Sequence, residues 1–178
     1  MKWFIKCLKQ YADFNGRARR SEFWWFSLIN FIIMMVLLTF WMVPLFKMAI
    51  HIEDTPDEWE IVRLMLSNPF IYIYLIYYLA MLIPSLAVMV RRLHDIGKSG
   101  FWVFLSIGSS LLISISRGIY GTDMASSQII SIVIELIALV IAIIFLVWMF
   151  TDSDYGPNKW GPNPKGEGNP TDEIAEAQ

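Results

Sequence analysis

The stretch FWWFSLINFIIMMVLLTFWMVPLF, from Phe23 to Phe46, runs 24 residues without a charge. A bilayer core about 30 Å thick takes about 20 apolar residues in a helix, so this stretch is long enough to cross one. Three more follow. Leu64 to Val90 and Ser99 to Ser116 are uncharged, and Gln128 to Phe150 carries one charge, Glu135. Inside the second, Asn68-Pro69 marks a helix start, with Asn as N-cap and proline in the first turn. The spans expected are residues 23–46, 69–90, 101–116 and 128–150. The fold class is then all-α: a polytopic membrane protein with four transmembrane helices and an amphipathic, interfacial N-terminal helix.

Composition agrees. Charged residues make up 17% of the 178, and mean hydropathy is +0.51, against about 25% charge in soluble domains. The one cysteine, Cys7, excludes an internal disulfide. The first apolar stretch is too long for a signal-peptide core and lacks a small-x-small cleavage site after it, so it reads as a retained span.

Lysine and arginine set the expected orientation. Lys2, Lys6, Lys9, Arg17, Arg19 and Arg20 precede the first span. Arg91, Arg92 and Lys98 follow the second, and Lys159 and Lys165 follow the last. The opposite side holds only Lys47, Arg63 and Arg117, so the division is eleven to three. Positive charge stays inside, which puts both termini in the cytoplasm. Trp24, Trp25, Trp102 and Trp148 fall at the cytoplasmic span ends, where amphipathic rings settle.

Residues 3–14 place Trp3, Phe4, Cys7, Leu8, Tyr11 and Phe14 on one helical face and Lys2, Lys6, Lys9, Gln10 and Asp13 on the other. Such a helix lies in the headgroup layer or packs on the protein's own spans. Residues 47–63, with Glu53, Asp54, Asp57, Glu58 and Glu60, read as a solvated outer loop. Pro84 should kink the second span by removing a backbone donor. A single membrane domain covers residues 1–164, and residues 165–178 read as a disordered tail.

Three polar clusters abut the spans on the cytoplasmic side, at 14–22, 91–100 and 151–164, and form an expected cap. Within and beside them run GRARRSEFWW (Gly16–Trp25), RRLHDIGKSGFW (Arg91–Trp102) and DSDYGPNKWGPNP (Asp152–Pro164). In that order they resemble the family known as domain of unknown function 805, over residues 10 to 164. The resemblance implies a small polytopic protein of the bacterial inner membrane. It supplies no activity, substrate or catalytic residue.

The residues are therefore weighed on their own chemistry. Arg17, Arg19, Arg20, Arg91, Arg92 and Lys98 are candidates for anionic lipid headgroups. The competing reading is that they set topology, or pair within the cap with Glu22, Asp95, Asp152 and Asp154. His94 and Asn158 join that pairing set. His94-Asp95 is too small a ligand set for a metal, so His94 is expected on a backbone carbonyl. Asp152-x-Asp154-x-Gly156 departs from a calcium loop at Pro157 and Asn163. Gly97-Lys98-Ser99 lacks the upstream glycine and strand of a phosphate loop. Glu135 lies inside a span, level with Ser109, Ser110, Tyr77 and Tyr78. It is a protonatable group of a small transporter or a hydrogen-bonded structural acid. Ser106, Ser110 and Ser114 form a stripe suited to close helix packing.

The sequence thus points to a non-enzymatic binding or assembly protein. Its basic cap would meet anionic lipid or a protein partner, and a homo-oligomer is allowed. No cofactor, metal or nucleic acid is expected. The alternative is a small oligomeric transporter built around Glu135.

Overall fold

The computed structural model describes residues 2–51, 57–119 and 125–169. Six helices account for most of them, with no strand among the described residues. These are α1 (Lys2–Lys9), α2 (Arg20–His51), α3 (Glu58–Ser67), α4 (Pro69–Asp95), α5 (Trp102–Ile119) and α6 (Ala125–Phe150). Among the described residues, Arg20–Lys47, Pro69–Asp95 and Ile129–Phe150 are long and apolar enough to cross a membrane. The apolar part of α5, Trp102–Ile115, is shorter. Phe31, Ile76, Leu111 and Val147 are all more than half exposed on these helices. Side chains this apolar, in rows this long, are faces for lipid.

The chain forms two compact units. One comprises Met1–Ala12 and Trp24–Ser85, the other Asp13–Phe23 and Leu86–Gln178. Helices α2 and α4 each supply residues to both.

In the first unit, α1 buries Cys7 completely and stacks Phe4 on Phe26 at 5.4 Å. The helix stops at Lys9, not at the expected Phe14. The chain beyond it turns, and the Asn15 amide donates to Asp13 Oδ1 at 3.0 Å, a local bond that competes with helix. Tyr11 leaves the helix for another task. Pro84 has no N–H, so the Ala80 carbonyl lacks its donor from the next turn. The Tyr11 hydroxyl donates to that carbonyl. The same device recurs at Pro44, within α2, which frees the Phe40 carbonyl. Asn68 Nδ2 donates to Phe40 O at 3.3 Å and to Trp41 O at 3.0 Å. Asn68 Oδ1 meanwhile accepts from the Phe70 amide at 3.1 Å and so caps α4 as its sequence suggests.

Two boundaries differ from expectation. Helix α2 begins at Arg20, inside the first motif, and runs to His51. Glu22 in its first turn suits the positive end of the helix dipole. Part of the expected acidic loop is helix α3, tied to α2 by Trp41 Nε1 donating to Met65 O at 3.3 Å. Its acidic start masks a mostly apolar run from Ile61 to Leu66, broken only by Arg63. Glu53 and Asp54 lie outside the described residues.

In the second unit α5 and α6 pack side by side. Trp102 meets Trp148 edge-on at 5.4 Å, so the pair is antiparallel with these rings at one end. Ala87, Val88, Leu93, Val103, Phe145 and Met149 form its buried apolar core. Residues 165–169, expected to be disordered, are held. Asn163 and Asn169 exchange two bonds, at 2.9 and 3.0 Å, and Lys165 pairs with Asp152. Residues 170–178 lie outside the described residues.

Candidate functional site

The second unit gathers the three polar motifs into one buried knot at the end of α4. Asp95, the last residue of α4, is fully buried. Its Oδ1 accepts from Arg17 Nε at 3.0 Å. Its Oδ2 accepts from Arg92 Nη1 at 2.6 Å and from Ser153 Oγ at 2.6 Å. One carboxylate therefore joins all three motifs. Such charge-assisted bonds are the stronger kind, and burial makes each of them matter more.

Arg17 makes further bonds with its guanidinium. Nη1 donates to Gly156 O at 2.7 Å and to Gly161 O at 3.4 Å. Nη2 donates to Asp154 O at 2.7 Å and to Asp95 O at 3.3 Å. The planar fork thus holds the segment after α6 in place. Arg92 reaches the end of α6, donating to Met149 O at 3.4 Å and to Thr151 O. Arg20 donates to Phe150 O at 3.2 Å and to Asp152 at 2.9 Å. Helix carboxyl ends carry partial negative charge and unmet carbonyls. Cations at the ends of α4 and α6 answer both.

Arg91 and Glu22 form a second buried pair, 3.7 Å apart and at most 2% exposed. The Arg91 side-chain nitrogens have no hydrogen-bond partner among the described residues. Their pairing with Glu22 is therefore electrostatic. Three buried guanidiniums thus face two buried carboxylates. The helix-end carbonyls take up the excess positive charge.

His94 sits beside the knot. Its Nδ1–H donates to Gly16 O at 3.2 Å, and its ring stacks on Trp160 at 4.4 Å. Asn158 Nδ2 donates to the His94 carbonyl at 2.9 Å. Gly97 closes α4 with φ +73°. The Lys98 amide returns to Leu93 O at 2.9 Å and the Gly97 amide to His94 O at 3.2 Å, a Schellman end. This explains Gly97-Lys98-Ser99 without a phosphate. A Cβ on Gly97 would meet Asp154 Oδ2 at 2.5 Å.

The candidate anion-binding residues fall into two sets. Arg17, Arg91 and Arg92 are buried and turned to internal partners. These three therefore leave the candidate set for anionic lipid, since no guanidinium can meet a headgroup from inside a packed knot. Arg19 is half-buried and donates to Pro164 O, and Arg20 is exposed. Lys98 Nζ stands 4.8 Å over the Trp148 ring. Among the expected pairing acids, Glu22, Asp95 and Asp152 use their carboxylates, while Asp154 enters through its backbone. The bond from Lys165 and then the Ser153 amide hold the exposed Asp152 carboxyl below its usual range.

Ser109 and Ser110 both donate to Ser106 O, at 2.8 and 3.1 Å, and Ser114 donates to Ser110 O at 3.1 Å. The serine protons stay within α5, a common use of serine in apolar helices. Ser106 is half-buried, and Ser110 and Ser114 are exposed. Tyr77 donates to Asn30 Oδ1 at 2.9 Å, and Tyr78 is exposed. Glu135 is half-buried on α6. Among the described residues no group of three His, Cys, Asp or Glu is placed to hold a metal.

Sequence reasoning missed Ser153, Ala18 and the acceptors Gly156 O and Gly161 O. Ala18 is fully buried, and its amide donates to Arg91 O at 3.0 Å. A backbone group has no residue type to announce it. The cluster of Gly, Pro and Asn around them is the only available signal.

The family described as "Protein of unknown function (DUF805)" matches residues 11–162, a span that contains the first two motifs and most of the third. Inner membrane protein YhaI of Escherichia coli (strain K12) is 34% identical over 105 residues, covering 59% of this chain and 70% of that protein. Inner membrane protein YhaH of the same organism is 32% identical over 105 residues, covering 59% and 72%. No solved structure matches.

Proposed function

The chain belongs to the DUF805 family, and from that premise we propose that it is a four-span, non-enzymatic protein of the bacterial inner membrane that binds anionic lipid. The related proteins are named as inner membrane proteins, and α5 serves as the fourth span beside α6. The observation that carries the reading is the division of the cations. The buried arginines hold the fold, while lysines stand over tryptophan rings: Lys2 and Lys6 over Trp3, and Lys98 over Trp148. Lysine with tryptophan is the chemistry of the headgroup layer. Each basic residue near an anionic leaflet contributes about 1 kcal/mol. Helix α1, with Ile5 half exposed and Lys2 and Lys9 exposed, lies in that layer.

Two measurements test this. A reporter active only outside the cytoplasm should be silent when fused after Gln178 and active when inserted after Glu58. The opposite pattern rejects the orientation. Replacing Lys2, Lys6 and Lys9 with glutamine should lower the ratio of phosphatidylglycerol to phosphatidylcholine retained by protein released from mixed nanodiscs into a mass spectrometer. An unchanged ratio would leave these lysines as topology signals and reject lipid binding by α1.

A further inference from the structure

Between α5 and α6 lies an open groove of about 210 Å³, walled by Phe104, Leu105, Gly108 and Leu112 on one side and by Ile134 and Ile137, among others, on the other. We propose that this groove holds one acyl chain of an anionic phospholipid whose headgroup is met by Lys98. The proposal rests on the membrane reading above and assigns it a particular site.

Three observations carry it. First, Gly108 opens the wall: a Cβ built there meets nothing within 4 Å. Second, the neighbours one turn away on the same face are Phe104 and Leu112. A helix from a second copy needs small residues at that spacing to approach closely. A flexible chain can pass between large ones. The stretch from Phe104 to Leu112 covers about 12 Å at 1.5 Å per residue, most of one leaflet of a core about 30 Å thick. Third, the end of this helix pair carries the headgroup chemistry. Trp102 and Trp148 meet there, and Lys98 stands over Trp148. Its ammonium is a compact charge on a flexible stem, suited to a lipid phosphate.

The test uses full-length protein in nanodiscs of phosphatidylglycerol and phosphatidylcholine, released into a mass spectrometer. Gly108→Phe should lower the number of retained lipids by one, of either headgroup, because it fills the groove, and should leave the lipid at α1 in place. Lys98→Gln should leave a lipid bound but lower the preference for phosphatidylglycerol by about fivefold, the weight of one basic residue at an anionic surface. Folded Gly108→Phe protein that retains as many lipids as the wild type overturns the proposal. So does a change in subunit number, which would assign the groove to a second copy. An unchanged preference in Lys98→Gln overturns the headgroup assignment. Should Gly108→Phe fail to fold, unaltered protein decides. Phosphatidylglycerol with a diazirine midway along one chain should label residues 104–112 and 134–141, and unlabelled phosphatidylglycerol should suppress that labelling. Labelling spread evenly over all exposed apolar faces overturns the proposal. Loss of the α1 lysine effect alone leaves the groove standing, so the two readings fail separately.

Discussion

Replacing Asp95 with alanine should destabilise the protein by about 3 to 5 kcal/mol, the cost of removing one partner from a buried ion pair. The effect belongs at the upper end because one carboxylate serves three donors, Arg17, Arg92 and Ser153. Without it, two buried guanidiniums would lose the carboxylate they share. Thermal unfolding in detergent, followed by tryptophan fluorescence, measures the loss. Asp95→Asn should be nearly as damaging: it keeps the shape but replaces one acceptor oxygen with a donor and removes the charge. The double variant Asp95→Ala with Arg17→Met should lose less than the sum of the single variants, since each removes the other's uncompensated partner. An Asp95→Ala protein that melts with the wild type would show that the knot contributes nothing to stability.

Arg17→Lys should cost about 2 to 4 kcal/mol, although it conserves the charge, because it strands several buried acceptors at once. Arg17 serves Asp95 Oδ1 and four carbonyls from a rigid planar fork. A lysine offers three donors from one nitrogen and cannot reach carbonyls spread from Asp95 to Gly161. The segment after α6 should then loosen. Trypsin cleavage after Lys159 or Lys165 should be faster in Arg17→Lys than in wild type. Arg20→Lys is the control. Arg20 and Asp152 are each about half exposed, and an exposed pair contributes at most about 1 kcal/mol. Equal protection from trypsin in Arg17→Lys and wild type would remove Arg17 as the clasp of that segment.

The sequence by itself determined much of this protein. The apolar runs announce the long helices, because no other stable arrangement suits such rows of uncharged residues. Asn68-Pro69 announces the start of α4, and the motif order announces the family. Each of these signals is local and needs only neighbouring residues. The limits of the local reading show at α1 and α3. Competing side-chain bonds near Asp13 end the amphipathic pattern of α1 early. At α3 a run of acids conceals a helix.

Only the tertiary structure decided which cation meets which acceptor. Arg17, Arg91 and Arg92 read as the same kind of residue as Arg20 and Lys98, yet the first three are buried and the others reach the surface. The difference lies in backbone carbonyls, which every residue has and none advertises. The two prolines teach the same lesson. Pro84 and Pro44 each imply an unmet carbonyl, and that much is legible in one dimension. That Tyr11 answers the first and Asn68 the second follows only from contacts 69 and 28 residues apart in the chain. Burying a polar group demands a partner, but the sequence does not say where the partner comes from.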